Sequence, residues 1–99
     1  MDRQQIKQIF EDFFQKYKKT EGDDNTYTAF WSDRSSNGSA EIAMVRCPAD
    51  TTFKFFVNGK KVNEVKEWES FFPALKNFAA DHSDVFDKEH FFAGMQEMI

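Results

Sequence analysis

The chain has 99 residues, of which 40% are hydrophobic and 30% are charged, and its formal net charge is −4. This length and composition are typical of one globular domain with a modest core, and they argue against a disordered chain. The acidic balance counts against a general nucleic-acid binder, because such domains usually carry a basic excess. We therefore expect a single domain over residues 1–99.

Cysteine use and hydropathy bear on the cellular compartment. The single cysteine, Cys47, has no partner for an internal disulfide, which is typical of a reducing compartment. The opening residues MDRQQIKQIF are too charged for a secretion signal, and no apolar run reaches membrane-spanning length. These features predict a cytoplasmic protein, or one of another reducing intracellular compartment, without a membrane partner.

The first predicted element is an amphipathic helix from Asp2 to Lys19. Its apolar residues recur at spacings of three and four, which places them on one broad helical stripe. The turn-forming sequence EGDDN at 21–25 is expected to end the helix as a loop. The apolar stripe consists of Ile6, Ile9, Phe10, Phe13, Phe14 and Tyr17.

Two strands are predicted next, at 25–32 and 40–47. The first, NTYTAFWS, is rich in strand-favouring residues and places Phe30 and Trp31 on opposite faces of a sheet. The second, AEIAMVRC, is apolar on both sides, as expected for a central strand. A polar loop with an Asn-Gly turn signal separates them.

A β-hairpin is predicted over residues 52–65, TFKFFVNGKKVNEV. Its Asn-Gly dipeptide lies between apolar alternations and is a strong hairpin signal, because both turn positions require positive φ. The two-residue turn predicts three cross-strand pairs: Val57 with Lys60, Phe56 with Lys61, and Phe55 with Val62.

The faces of this hairpin follow from the same register. Phe55 and Phe56 must lie on opposite faces, because side chains alternate along a strand. Lys60 and Lys61 likewise point to opposite sides, which weakens the idea of a two-lysine clamp. Val65 is expected on the face that carries Phe56.

Two helices are predicted after the hairpin, because the apolar period changes from two to about 3.6. The first is expected from near Ser70 to Ala80, with Ser70 as N-cap. Pro73 then lies in the first turn, where its missing N–H has no intrahelical partner. The last helix begins near Ser83 or Asp87 and runs to residue 99.

The predicted order of elements is α-β-β-β-β-α-α. Short links between strands favour an antiparallel meander of three to four strands, with helices covering at least one face. We therefore predict an α+β fold: one domain with an N-terminal helix, this sheet, and two C-terminal helices.

Catalytic and metal-binding patterns have little support in the sequence. Cys47, His82 and His90 can be combined on paper into a nucleophile and its base, but no local spacing places a thiol beside an imidazole. The acids around the two histidines match no zinc spacing, and the acidic segment 21–25 lacks the twelve-residue calcium pattern. We therefore predict no catalytic, cofactor or metal site, and an uncharacterised small enzyme is the last alternative.

Phenylalanine dominates the apolar residues, with 13 Phe against a single leucine. If helices cover only one face of the sheet, Phe30 and Phe56 lie on the other face, and an exposed apolar patch there marks a partner surface. If the last helix wraps the second face, both side chains are core. We predict a non-enzymatic domain that binds another protein or a second copy of itself. The predicted contact residues are Phe30, Phe56, Val65, Lys60 and Lys61.

RNA binding is the alternative function, although the net charge disfavours it. Basic residues concentrate in segments 3–19 and 53–66, so a local basic patch is possible. The order of a helix, three antiparallel strands and a helix resembles the Alu-binding subunits of the signal recognition particle. That resemblance implies RNA held across a sheet. Its phosphate contacts would be Lys16, Lys18, Lys19, Lys54, Lys60 and Lys61.

Overall fold

The computed structural model describes the backbone of residues 1–99 and the side chains of residues 1–22 and 25–99. Helix α1 (Arg3–Tyr17) is followed by five strands and by helices α2 (Glu67–Asp81) and α3 (Lys88–Glu97). The sheet has the order β1-β2-β3-β4-β5 with every neighbouring pair antiparallel. The strands are β1 (Lys19–Glu21), β2 (Asp23–Ser35), β3 (Gly38–Cys47), β4 (Asp50–Val57) and β5 (Lys60–Lys66). The predicted α+β class and antiparallel meander are confirmed, with five strands instead of three to four.

β1 is the strand that sequence analysis missed. The segment after α1 was expected to be a loop, but Lys19 pairs with Thr28 across a tight reversal at Gly22, whose φ is 85°. Glycine adopts this positive φ at little cost, so a turn-rich sequence here forms a hairpin. β2 consequently spans residues 23–35 and is longer at both ends than the predicted 25–32.

The β4–β5 hairpin has the predicted turn. Both positions of its Asn-Gly dipeptide have positive φ, 52° and 81°. Val57 pairs with Lys60 and Phe56 pairs with Lys61, as the two-residue turn requires. The prediction that the two lysines lie on opposite sides of the sheet is therefore confirmed.

Beyond these pairs the register departs from the prediction. A β-bulge follows, so Phe55 pairs with Asn63 instead of Val62. One extra residue in a strand moves every later side chain to the other face. The expectation that Val65 lies on the face of Phe56 is therefore wrong: Val65 pairs with Phe53 and packs against the core.

All three helices lie against one face of the sheet. Ten of the 13 Phe side chains are buried, so most of the phenylalanine surplus is core. None of the described helices has the length and the apolar run needed to cross a membrane. The covered face of the sheet contributes Ala29, Trp31, Ala40, Ile42, Met44, Phe53 and Phe55 to this core.

Side-chain caps begin α1 and α3, but not α2. Asp2 caps α1 in a capping box with Gln5, and Asp87 caps α3 by accepting a hydrogen bond from the backbone of His90 at 3.2 Å. α3 therefore begins at the later of the two predicted positions, and α1 ends two residues before the predicted Lys19.

The predicted start of α2 at Ser70 is wrong. The helix begins three residues earlier, at Glu67, whose φ is 64°, and it has no side-chain cap. Trp68 packs on the ring of Phe53 at 4.7 Å, and this burial favours helix formation ahead of the expected cap. Pro73 consequently lies inside the helix rather than in its first turn.

Asn58 joins the β4–β5 turn to the β2–β3 turn. Its Oδ1 accepts a hydrogen bond from the Ser39 N–H at 3.0 Å, and its own N–H donates to the Ser39 carbonyl at the same distance. Gly38 permits this approach, because a Cβ there would lie 2.3 Å from Asn58 Oδ1 and its φ is 139°. The two hairpin turns at this end of the sheet therefore hold each other in place.

We expect Gly38→Ala to lower the free energy of unfolding by about 2 kcal/mol or more, because it adds both backbone strain and a clash. Gly59→Ala is the matched control: its φ is also positive, at 81°, but its Cβ would meet open space. Its expected cost is about 1 kcal/mol. Urea unfolding measures the free energy of unfolding of both variants. Equal losses for Gly38→Ala and Gly59→Ala would contradict the contact between the two turns.

Candidate functional site

The face of the sheet opposite the helices carries no helix in the described structure. Its side chains come from alternate residues of the three central strands, which the antiparallel register places side by side. We call this surface the open face. Its residues are Thr28, Phe30 and Ser32 of β2, Glu41, Ala43 and Val45 of β3, and Thr52, Lys54 and Phe56 of β4.

Phe30 is the most exposed large apolar side chain among those described, at 58% of its full accessibility. Its cross-strand neighbour is Ala43, a side chain too small to cover it. A groove of about 350 Å³ lies over this pair, and Val45, Lys54 and Phe56 line it as well. The open face therefore offers an aromatic ring beside a partly apolar depression.

Charges of both signs surround this groove. Lys54 lies opposite Ala43 on β4, and Lys19 of β1 lines the other side. Neither lysine has an ion-pair partner among the described side chains. The acids of this surface are engaged by neighbours: Ser32 donates a hydrogen bond to Glu41, and Thr28 donates one to Glu21.

A further ion pair closes the β5 side of the open face. Lys61 Nζ and Glu64 Oε1 are 2.8 Å apart. This hydrogen bond and the lysine charge lower the pKa of Glu64 below its ordinary value. The pair is exposed, so it contributes little to the free energy of unfolding, and we place it at the rim of the open face.

The structure brings together three of the five predicted contact residues. Phe30 and Phe56 line the same groove, and Lys61 lies beside Phe56 on the neighbouring strand. Lys60 is at the turn on the other side of the sheet, and Val65 is on the covered face. The bulge in β5 is the reason that Val65 is separated from the others.

Apart from Phe30 and Phe56, the residues that line the groove were not among the predicted contact residues, although Lys19 and Lys54 were named for the RNA alternative. Ala43 and Lys54 stand between Phe30 and Phe56 only because of the observed pairing across β2, β3 and β4. Lys19 joins them because β1 exists. The alternation within each predicted strand was the available signal, but the register between distant strands could not be obtained from it.

The residues considered for nucleophilic catalysis lie apart. Cys47 ends β3 and accepts a hydrogen bond from Thr26 Oγ1 at 2.9 Å. His90 Nδ1 is 2.7 Å from Asp33, which pairs with Ala40 at the start of β3. Ala40 and Cys47 are seven residues apart along β3, which is about 23 Å at the usual rise per residue. A Cys47–His90 pair is therefore not assembled.

Metal-ligating side chains form no cluster of three or more in the described part of the chain. Of the acidic segment considered for calcium, Asp23 and Asp24 lie outside the described side chains. The ring of His82 packs on Phe78 with centroids 5.1 Å apart. Within residues 1–22 and 25–99, the structure offers no assembled site for a metal ion.

A second depression, of about 630 Å³, lies at the turn end of the sheet. It is polar, since serine hydroxyls and the turn backbone make up most of its lining, and one cation and one anion, Arg34 and Glu41, flank it. Its shape follows from the contact between the two hairpin turns. It has no apolar floor or buried polar group aimed into it, so the groove of the open face is the stronger candidate.

The six lysines expected for RNA binding are divided between two sides of the molecule. Lys16 donates to the carbonyl oxygens of Met98 and Ile99 at 3.1 and 3.0 Å, and thereby lies on the helical side. Lys19 and Lys54 line the groove on the open face. The remaining three are Lys18, against the Tyr27 ring, and Lys60 and Lys61, on opposite sides of the turn.

No protein-family model, no curated protein and no solved structure matches this chain.

His90 fastens α3 to β2 through Asp33, and the stability of this contact is expected to depend on pH. The hydrogen bond to Asp33, and then the carboxylate charge, raise the pKa of His90 above its ordinary 6.5. The contribution is therefore fully present below pH 6.5 and is lost as pH rises through the raised pKa. The protonated pair should stabilise the fold more than the neutral one.

We expect His90→Gln to remove part of the fall in stability between about pH 6 and about pH 8. Urea unfolding of wild type and His90→Gln across this range measures the free energy of unfolding at each pH. His82 is present in both proteins, so the difference between the two profiles is due to His90. Asp33→Asn should also lower the pKa of His90, and NMR titration of the imidazole measures this change. Identical pH profiles for wild type and His90→Gln would contradict the assignment.

Proposed function

We propose that this chain is a non-enzymatic protein-binding domain and that the open face is its contact surface. The observation that carries the proposal is Phe30, which is 58% exposed beside a groove on a sheet face that no described helix covers. A folded domain gains nothing in stability from an aromatic ring in water, whereas a partner that covers the ring gains apolar burial.

The composition of the open face suits a protein partner. Protein interfaces are built around a few aromatic anchors in an apolar centre, with charged residues at the rim. Phe30 and Phe56 supply the anchors, and Ala43 leaves room between them for a partner side chain. Lys54 and Lys61 are placed to influence the association rate more than the affinity. The single cysteine is in keeping with a cytoplasmic or other reducing compartment.

RNA remains the second candidate because of one observation: Lys19 and Lys54, which form no ion pair with the described side chains, border an exposed aromatic ring. Bases stack on such rings while cations hold the phosphates. Three acids, however, share this side of the sheet, at Glu21, Glu41 and Glu64, and they would repel a phosphate backbone. We therefore favour protein over RNA.

We expect Phe30→Thr to weaken the partner complex by about 2 kcal/mol, or about 30-fold in Kd, while changing the stability of the domain by no more than about 0.5 kcal/mol. Threonine keeps strand propensity and removes only the ring. Val62→Thr is the matched control, because Val62 is also exposed, at 43%, but lies on β5 away from the groove.

The partner is first captured on immobilised wild-type protein and identified by mass spectrometry. It is then titrated against wild type and both variants by calorimetry, with urea unfolding as the check on folding. Equal affinity for Phe30→Thr and Val62→Thr would remove the open face as the binding surface.

A single-stranded RNA oligonucleotide tests the second candidate. Under the protein-binding proposal we expect no saturable RNA binding at physiological salt. Saturable binding that is weakened by Lys54→Glu and falls with salt would instead establish the RNA function. Fluorescence anisotropy measures this, and Lys76→Glu is the control because Lys76 belongs to α2 on the helical side.

A further inference from the structure

β2 has a free edge next to the open face. The strand contains 13 residues, whereas its neighbour β1 contains three and pairs with it no further than Thr28. Residues 29–35 of β2 therefore have β3 on one side and no strand on the other. Alternate residues of this segment direct their N–H and C=O groups outward.

The two edges of the sheet differ in how they are protected. β5, at the opposite edge, carries three lysines, one glutamate and a β-bulge. Charges and bulges of this kind are the usual devices that stop edge-to-edge pairing. The free part of β2 begins AFWS, four residues without charge or bulge. β2 is therefore the edge that is open to another strand.

We propose that the free edge of β2, residues 29–35, pairs antiparallel with the same edge of a second copy of this chain. The sheets of the two copies then join into one, and their open faces become continuous. This inference goes beyond the proposed function, because it concerns the edge of the sheet and a copy of the chain, and it holds whichever partner occupies the groove.

The sequence of the segment is complementary to itself in one register. Matching all of residues 29–35 places a two-fold axis at Ser32, so that Ser32 lies opposite Ser32 of the second copy. Phe30 then faces Arg34 of the second copy on the open face, where a guanidinium can stack on the ring. On the covered side Trp31 faces Asp33 of the second copy. No pair in this register brings like charges together.

Neighbouring registers are less favourable. A shift that centres the pairing on Trp31 directs Arg34 of the second copy towards Thr28, where β1 already occupies the edge. A shift that centres it on Asp33 places two aspartates opposite each other, which is destabilising. The length of β1 and the positions of the two charges therefore select the register centred on Ser32.

The expected dimer is weak. A contact limited to seven residues a side buries less than the roughly 1,600 Å² of a standard interface. Its main-chain hydrogen bonds nonetheless replace bonds to water along a segment already held in strand conformation by β3, so little ordering entropy is lost. Dimerisation should therefore depend on protein concentration within the range accessible to sedimentation equilibrium.

The test uses the residue on the two-fold axis. Ser32→Lys and Ser32→Glu each place like charges opposite one another across the pairing, so each should raise the dimer Kd at least about fivefold. An equimolar mixture of the two variants places opposite charges there, and it should restore a dimer at least as tight as wild type. Asn63→Lys, in the middle of β5, is the control and should leave the dimer unchanged.

Urea unfolding checks that both variants fold. Ser32→Lys is the better tolerated of the two, because position 32 lies opposite Glu41 of the same chain. A wild-type protein that is monomeric at every concentration, or a dimer indifferent to both charges, would overturn the proposal. So would a mixture that stays monomeric. The dimer is measured by sedimentation equilibrium on the protein alone, whereas the open face is tested by calorimetry of the captured partner with Phe30→Thr and Val62→Thr. Failure of one proposal is therefore distinguishable from failure of the other.

Discussion

The fold depends on one aromatic cluster, in which the ring of Phe10 from α1 packs among rings from β4, α2 and α3. Phe53 of β4, Phe71 of α2 and Phe92 of α3 pack edge-on against it, with centroids 5.3 to 6.0 Å away. Edge-to-face pairs are favourable beyond the area that they bury. Because this cluster joins all three helices to the covered face, the helices cannot also shield the other side of the sheet.

The open face is therefore a consequence of where the core formed. With Phe53 and Phe55 directed to the helices, alternation along β4 forces Phe56 outward, and the register then places Phe30 beyond Ala43 on the same side. Three helices of 15, 15 and 10 residues suffice for one layer over a five-stranded sheet, not for two. The position of the helices and the alternation along the strands together require an exposed aromatic side chain on the open face.

Local chemistry explains which features were predictable from the sequence. The Asn-Gly turn depends on neighbours in the chain and was predicted correctly, and the start of α3 at Asp87 was one of the two predicted positions. The β5 bulge, which carries Val65 to the covered face, leaves no local signal in a sequence that alternates acceptably in either register. The start of α2 and the existence of β1 likewise depend on tertiary contacts, here the packing of Trp68 and the pairing of Lys19 with Thr28. The groove is lined by residues of four strands, so its full lining could not be predicted from the sequence of any one strand.

β2 gives the two proposals a common physical origin. Its outer side chains supply Phe30 to the open face, and its unpaired backbone supplies the free edge, because β1 ends after three residues. A longer β1 would protect the edge but would also run alongside Phe30 and narrow the groove. A shorter one would leave Thr28 and Tyr27 unpaired as well, with more edge exposed to aggregation. The three-residue β1 therefore limits how far a second strand can reach, which is why the edge contact has one favoured register while the groove stays accessible.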